Sequence, residues 1–526
     1  MQKKVLIAEK LEDICTEMLS REGIIADVAV NRSPQQLIGL LANGYHGLIV
    51  RSATKVTKEV IENAESLEII GRAGAGVDTI DVAAATKKGI LVCNTPYVNS
   101  ISVAELVFGF MLGHARSISE YDKAVKAGEW PKGKLRGKQE LYGKTLGIVG
   151  LGNIGKEVAN RAESFGMQII YFDPYVSHPN YKRMSVEDVF SNANIVTIHV
   201  PSMKETNQMI KVNHLFSMKK EALLINTARS SVIANGALED VLDKRDDLLV
   251  ALDVMDVEAP GEKPLSKYNE RILLTPHIGA STKDAQKRGA IQIAEQFIEF
   301  FKHGKMKYAV NFVSVPDNLY PFLELSEKIA KVGTILLEEQ PVKVEYTCYG
   351  SLDKYANILE SALIKGIFEC TSDINVNYVN AEFIAKQKGL VLEKRIPDNS
   401  KQYGDSITVD VIANGKVSIR GKVNKDNKPS ILRIGEFYNK IDIVSSSQKA
   451  LLIYEDKPGV VSVLGGVCEK YGINIDNLSV THDKQSRMAL AVLETNTPIS
   501  EQQINEMKQS INAKGINVAK AKVIDF

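Results

Sequence analysis

The sequence predicts an α/β protein: two doubly wound parallel-sheet domains, then an α+β segment and a small βαββαβ domain. Three observations carry that reading. Apolar strands and amphipathic helices alternate over the first three hundred or so residues, an order that builds parallel sheets with helices on both faces. Within that run, Thr145 to Pro174 reads as strand, glycine turn, helix, strand and terminal acid. Beyond Lys449 the order becomes strand, helix, strand, strand, helix, strand, a ferredoxin-like pattern.

At 526 residues the chain is too long for one core, and roughly three or four domains are expected. Lys plus Arg (65) almost cancels Asp plus Glu (64), so the overall field attracts neither nucleic acid nor an anionic membrane. No apolar run approaches the ~18 residues of a spanning helix. The opening MQKKVLIAEKLEDI reads as a strand followed by charges rather than a signal peptide. Cys15, Cys93, Cys348, Cys370 and Cys468 are scattered and lack a C-x-x-C pair. They read as reduced residues of a cytoplasmic protein, with no metal site.

From the start, strands are expected at Val5 to Ala8, Ala26 to Val30, Gly47 to Val50, Glu68 to Gly71 and Ile90 to Cys93. The segments between carry apolar residues at helical spacing, such as Ile14, Met18 and Leu19. Arg51-Ser52 follows the third strand and Arg72 to Asp78 the fourth. Ligands of open α/β sheets bind beyond strand carboxyl ends, which makes both stretches candidate substrate contacts, Arg51, Ser52, Gly74 and Gly76 among them. The Gly74-Ala75-Gly76 turn is either an anion-binding row of N–H groups or a plain connection. Ser102 to Glu105 reads as a capping box opening a helix that is apolar on nearly every side. Such a helix is buried, here against a second subunit as well as its own, so a homo-oligomer, dimer or tetramer, is expected. Lys132, Lys134, Arg136 and Lys138 form a basic loop, either a solvated face or a contact for an anionic substrate.

The nucleotide unit comes next. An apolar strand with Leu146, Ile148 and Val149 enters Gly150-Leu-Gly152-Asn153-Ile154-Gly155, followed by a helix to about Phe165. Gly150 makes the tight turn, Gly152 admits a pyrophosphate, and Gly155 lets helix meet strand. The helix N-terminus offers free N–H groups to the phosphates. Asp173 ends the next strand, 18 residues beyond Gly155, where a carboxylate accepts from the adenosine ribose and repels a 2′-phosphate. NAD is therefore expected over NADP. Later strands at Asn194 to His199, Ala222 to Asn226, Leu248 to Val254 and Ile272 to Leu274 end near His199, Pro201, Thr227, Ala228, Asp253, Gly279 and Ala280, further candidate cofactor contacts. A helix over Lys283 to His303 is long enough to return to the first domain.

Residues 311 to about 445 suggest a helix after Pro321 and strands at Val342 to Tyr346 and Ile407 to Val411, without a catalytic motif. The expected division is 1–98 with 285–308 for substrate, 99–284 for the nucleotide, 311–445 intervening, and 449–526 last.

Arg229, Glu258 and His277 suggest the chemistry. Oxidation of a 2-hydroxy acid needs a base for the hydroxyl proton, and His suits neutral pH. A carboxylate on its other nitrogen fixes the tautomer, and an Arg holds the substrate carboxylate and polarises the forming carbonyl. Taken singly, each residue has an ordinary structural explanation.

The stretches Arg51 to Lys55, Gly71 to Asp78, Gly150 to Gly155, Asn226 to Arg229, Ala251 to Val254 and Pro276 to Thr282 resemble the D-isomer-specific 2-hydroxyacid dehydrogenases. Within that family the long C-terminal extension resembles a branch that oxidises D-3-phosphoglycerate to 3-phosphooxypyruvate with NAD, the entry to L-serine biosynthesis. The resemblance implies Arg229, Glu258 and His277 as the catalytic set and Arg51, Ser52, Gly74 and Gly76 as substrate-anion contacts. The basic loop, beside the expected subunit-contact helix, suggests separately that Lys134 joins Arg51 at the phosphate. Two departures stand out: Ser230-Ser231 where the family commonly has glycines, and Glu258-Ala259-Pro260 in place of a Glu-Pro. Residues 449–526 resemble an ACT regulatory domain, which implies L-serine as effector near Tyr454, Asp456 and Asn474. Two rivals remain: a glyoxylate or hydroxypyruvate reductase, and a dinucleotide-sensing binding protein on the same fold.

Overall fold

Five short strands near the N-terminus, β1 (Lys4–Ile7), β2 (Ile25–Val28), β3 (Gly47–Val50), β4 (Ile69–Arg72) and β5 (Leu91–Asn94), lie in the order β2-β1-β3-β4-β5. β1 pairs in parallel with β2 and β3. Leu48, Ile49 and Val50 are wholly buried, as continuous apolar strands between two helical layers require. The order reverses between β1 and β3, so Glu9 and Arg51 follow the two strands that flank the ligand crevice of such a sheet. This computed structural model describes residues 2–132, 139–258, 261, 264–372, 374–396, 404–443 and 448–526.

A second sheet contains β6 (Thr145–Val149), β7 (Gln168–Phe172), β8 (Lys182–Arg183), β9 (Ile195–Ile198), β10 (Leu223–Asn226), β11 (Leu249–Leu252) and β12 (Ile272–Leu274). Its order is β12-β11-β10-β9-β6-β7-β8, with every neighbouring pair parallel. Here the order reverses between β6 and β9, directly above the glycine turn. One apolar core covers each face.

The helix Ser100–Arg116 packs Val107, Phe108, Phe110 and Met111 into one of these cores. Its capping box does not form. The helix begins three residues earlier, after Asn99, without a side-chain cap. Ser102 therefore lies inside the first turn, and its hydroxyl donates to the Gly279 carbonyl at 2.7 Å. A distant partner has taken the oxygen that would have capped the helix. The long helix Lys283–His303 lies on the first sheet, where Gly47 and Gly71 leave room for Phe297; a Cβ on either would approach that ring to 2.6 and 2.4 Å.

Packing groups the chain into two units. One comprises Met1–Thr57, Ile70–Ile80 and Cys93–His303; the other comprises Lys58–Ile69, Asp81–Val92 and Gly304–Phe526. In the second, the helices Tyr320–Leu337 and Ala356–Thr371 meet at Gly366, where a Cβ would lie 2.1 Å from the Glu327 carbonyl. They cover a sheet of β13 (Lys343–Tyr349), β14 (Val391–Lys394), β15 (Ser406–Ile412), β16 (Lys416–Val423), β17 (Pro429–Ile434) and β18 (Phe437–Asp442), in the order β14-β13-β15-β16-β17-β18. The final sheet, β19 (Gln448–Glu455), β20 (Ile475–Asp483), β21 (Met488–Thr495) and β22 (Val518–Asp525), is antiparallel in the order β20-β21-β19-β22. With helices Val460–Lys470 and Glu501–Ala513 it is the expected βαββαβ unit. Alternation divides its strands between two cores: Ala450, Leu452 and Tyr454 face those helices, while Leu451 joins the core of the preceding sheet. No single helix among the described residues is long and apolar enough to cross a membrane.

Candidate active site

A cleft of about 1060 Å³ opens beyond the carboxyl ends of the strands in the first unit. Its walls include Arg51, Ser52, Gly74 and Gly76 from the first sheet's loops. The second sheet's loops contribute Asn153, Ile154, His199, Pro201, Thr227, Ala228, Arg229, Asp253, Glu258, His277, Gly279 and Ala280. Sixteen of the predicted positions thus meet in one cavity, contributed by seven separate loops.

The glycine turn forms as expected. Gly150 has φ +96°, which a side chain rarely tolerates, and a Cβ on Gly155 would lie 2.2 Å from the Gly150 carbonyl. Gly152, with open space around it, precedes the helix Asn153–Ser164, which has no side-chain cap. Its first N–H groups are left for an anion. The Nδ1 of His199 and the Oγ1 of Thr227 are buried in the cleft wall without protein partners, and burial pulls the His199 imidazole down to about 3, keeping it neutral. Open glycine turn, uncapped helix and two orphaned polar atoms fit a bound dinucleotide.

Asp173 is more tied down than the sequence suggests. Its carboxylate accepts from the N–H groups of Leu151 (2.9 Å), Tyr175 (2.8 Å) and Val176 (2.9 Å). A carboxylate has about four acceptor sites, so one remains for a ribose hydroxyl. The residue braces the glycine turn as well as ending β7.

His277 stands on a turn after β12 with φ +55°, a conformation that costs a non-glycine residue about 1 kcal/mol or more. Asp253, buried at the end of β11, holds that turn on both sides of His277. It accepts from the Thr275 hydroxyl at 2.6 Å and from the N–H groups of Ile278 and Gly279 at 2.8 Å each. Ser102 grips the Gly279 carbonyl from the opposite side. The His277 Nδ1 lies 2.8 Å from the Glu258 Oε2, which leaves Nε2 for another partner. Asp253, expected as a cofactor contact, is here chiefly the anchor of this turn.

Arg229 follows β10 in an extended conformation (φ −146°). Its carbonyl accepts from the Asn226 side-chain amide at 2.9 Å, and Asn226 Oδ1 accepts from the Ala228 N–H at 3.0 Å. Ser230–Val232 then form a 3-10 turn, and neither serine has positive φ. The missing glycines therefore impose no strain beside Arg229.

The first sheet's loops correct one expectation and add to another. The Gly74 N–H donates to the Arg72 carbonyl at 2.9 Å, so it is not free for an anion. The Arg51–Thr54 loop is held by Glu9, whose Oε1 accepts from the N–H groups of Arg51 and Thr54 at 2.8 Å each. Sequence reading missed Glu9; it placed the stretch Arg72 to Asp78 among the candidate substrate contacts but gave the Asp78 carboxylate, which bonds Arg229 at 2.9 Å, no role of its own. Arg72, at the head of that stretch, is a buried guanidinium that lines the cleft.

Lys134 lies outside the described residues. In the second unit, the Asp456 carboxylate is 2.9 Å from the His482 Nδ1, and the Asn474 N–H donates to the Asn496 side chain at 3.0 Å. Tyr454 is buried in the helix-side core, so its ring cannot face a ligand in the loop.

Comparison with known proteins agrees with this geometry. The family described as D-isomer specific 2-hydroxyacid dehydrogenase, NAD binding domain, matches residues 108–279. The D-3-phosphoglycerate dehydrogenase intervening domain matches residues 318–435. The chain is similar to D-3-phosphoglycerate dehydrogenase of Archaeoglobus fulgidus, 34% identical over 96% of this chain and 97% of that one. Its similarity to the Methanocaldococcus jannaschii enzyme of the same name is also 34%, over 98% and 99%. Among solved structures, NAD+-bound 3-phosphoglycerate dehydrogenase of Entamoeba histolytica superposes with a TM-score of 0.52 at 29% identity, covering 60% of this chain and all of that one.

Proposed function

The chain belongs to the D-3-phosphoglycerate dehydrogenases of the D-isomer-specific 2-hydroxyacid dehydrogenase family, and from this we infer how its residues work. It catalyses NAD-dependent oxidation of D-3-phosphoglycerate to 3-phosphooxypyruvate, the entry step of L-serine biosynthesis. The observation that carries the mechanism is the His277–Glu258 pair in the same cleft as Arg229. NAD, when bound, supplies the nicotinamide carbon that accepts a hydride from C2. Arg229 holds the substrate carboxylate and polarises the oxygen on C2 as it becomes a carbonyl. The Nε2 of His277 takes the hydroxyl proton, and Glu258 fixes the tautomer and stabilises the imidazolium. The free N–H groups after Gly152 hold the pyrophosphate, and Asp173 takes the adenosine ribose with its remaining acceptor site.

The finer organisation rests on the same reading. Residues 1–98 with 285–308 bind substrate, 99–284 bind NAD, 311–445 intervene, and 449–526 act as an ACT regulatory domain. The βαββαβ order and the exposed Asp456 and Asn474 support L-serine as effector, with Tyr454 shaping the loop from within the core. Exposed Ile101, Leu112, Ile118 and Trp130 support a homo-oligomer of dimers or tetramers built through the 100–130 region. Lys134, from its own or a neighbouring subunit, joins Arg51 at the substrate phosphate. A cytoplasmic location fits the near-neutral, apolar-run-free chain.

Absorbance at the NADH band tests the activity, using purified protein with NAD and D-3-phosphoglycerate. Glyoxylate and hydroxypyruvate serve as rival substrates. Turnover of those compounds but not of D-3-phosphoglycerate would move the chain to a reductase, and no turnover at all would favour a dinucleotide sensor. Millimolar serine added to the same assay tests the effector: unchanged rates would leave residues 449–526 as an assembly module. Lys134→Ala should raise KM for D-3-phosphoglycerate and spare unphosphorylated 2-hydroxy acids; equal effects on both would return the loop to a solvated face.

A further inference from the structure

Two arginines face the cleft with one carboxylate between them. The Asp78 Oδ2 accepts from Arg229 Nη2 at 2.9 Å and lies 3.6 Å from Arg72 Nη1. Arg229 comes from the loop after β10, 151 residues away from Asp78. Arg72 ends β4, with its Nε donating to the Arg51 carbonyl at 2.8 Å. The Nη1 of Arg72 is buried and has no hydrogen-bond partner. Two guanidinium groups this close repel one another, and burial followed by that repulsion pulls Arg72 below the ordinary arginine value despite Asp78.

Asp78 is half exposed, with 52% of its side chain open to solvent. Burial pushes its carboxyl up, but the hydrogen bond and charge of Arg229, with the charge of Arg72, outweigh that and hold it below the ordinary aspartate value. It is therefore ionised at neutral pH. Gly76 makes this assembly sterically feasible. A Cβ there would lie 2.4 Å from Arg229 Nη2, 2.8 Å from Asp78 Oδ2 and 2.9 Å from Arg72 Nη1. A Cβ on Gly74, by contrast, would meet only Arg72 Nε, at an ordinary 3.8 Å. The two glycines of this loop have different tasks, and that of Gly76 is to let three charges meet.

We propose that Asp78 is a positioning residue: it holds Arg229 and Arg72 as a pair, so that their remaining N–H donors converge on the substrate's carboxylate. This rests on the reading of Arg229 as the carboxylate clamp. The ion pair with Asp78 uses Nη2, and Nη1 of Arg229 donates to the Ala228 carbonyl at 2.7 Å. The guanidinium is thereby fixed at two points before any substrate arrives, which is the preorganisation that oriented binding requires. Without Asp78, mutual repulsion separates the two cations and the donor fork rotates away.

The test uses the full-length enzyme and measures kcat, both KM values and NAD binding by calorimetry. Asp78→Ala should lower kcat/KM for D-3-phosphoglycerate by about 100-fold, the order expected when a reacting group is held an ångström out of place. The loss should lie in KM for the hydroxy acid and in kcat, with affinity for NAD within about twofold of wild type, since no cofactor contact changes. Asp78→Asn, which keeps an acceptor for Arg229 but loses the charge, should fall between. Gly76→Ala should match Asp78→Ala, and Gly74→Ala should cost less than either. Arg229→Lys, measured alongside, separates the two layers of the argument. If Arg229→Lys retains activity, the clamp reading fails and this inference goes with it. If Arg229→Lys is inactive while Asp78→Ala stays within about threefold of wild type, only this inference is overturned. A loss in Asp78→Ala accompanied by an equal loss of NAD affinity would also overturn it, because the residue would then hold the fold rather than the clamp.

Discussion

The turns that carry His277 and Arg229 are built in opposite ways. The His277 turn is gripped by Asp253, a buried carboxylate of the same sheet, through the Thr275 hydroxyl and the N–H groups of Ile278 and Gly279. Arg229 is held by its own loop through its carbonyl and through Nη1 on the Ala228 carbonyl, but the other arm of its guanidinium is aimed by Asp78 from the loop after β4. The position of the base is thus internal to the nucleotide-binding sheet, whereas the position of the clamp depends on the loop facing it. Any change in the separation of the two sheets' loops acts on Arg229 and leaves the His277–Glu258 pair intact.

Asp253→Ala should give the largest break in that comparison. It leaves two N–H groups and a hydroxyl without their acceptor, each worth about 1 kcal/mol or more when buried. Stability should fall by roughly 3 kcal/mol in urea unfolding, and turnover by at least about 100-fold as His277 loses its place. Normal turnover in this variant would mean that Ser102 and the backbone hold the turn unaided. Glu258→Gln comes next. The base keeps its position but loses the charge that stabilises its protonated form, so kcat should drop by about 10-fold to 100-fold. The pH–rate profile should move as well; an unshifted profile would separate Glu258 from the proton transfer. Asp173→Ala should act on the cofactor and on the glycine turn, not on the proton transfer. The NAD-over-NADP preference should narrow, and stability should fall by about 1–3 kcal/mol because Leu151, Tyr175 and Val176 lose their acceptor. A wild-type enzyme that already uses NADP equally well would contradict that assignment.

The smallest effect concerns His199, which is held neutral at neutral pH and titrates only at about 3 against an ordinary 6.5. Above 6.5 it is neutral in folded and unfolded chains alike. As pH falls below 6.5, only the unfolded chain takes up the proton, so stability declines progressively toward pH 3. By pH 5 the decline amounts to about 2 kcal/mol. Melting curves at pH 7 and pH 5 should show a smaller acid loss in His199→Asn than in wild type.

Most of the first three hundred residues were legible because strands covered on both faces are unbroken apolar runs such as Gly47–Val50. The glycine turn was legible because each glycine answers a local steric demand. Contacts between distant residues carry no such local mark. Ser102 looked like a cap because Glu105 follows it at the right spacing, yet its partner lies 177 residues away. Asp78 and Glu9 look like ordinary loop acids until the sheets are assembled. The two-residue β8 is exposed and basic, with no apolar signal to betray it. Helix Ala356–Thr371 is buried on most sides, so it has no polar face to show a helical period. Tyr454 was read as a ligand contact from its place beside the loop, but alternation along β19 turns it into the core.

The central claim is that His277 takes the substrate's proton from a turn that stands independently of the clamp. Its most direct measurement is NADH formation by His277→Ala at saturating D-3-phosphoglycerate and NAD, paired with calorimetry of NAD binding. The account predicts a fall in kcat of at least about 100-fold with NAD affinity unchanged. Turnover near the wild-type rate with NAD still bound would contradict it.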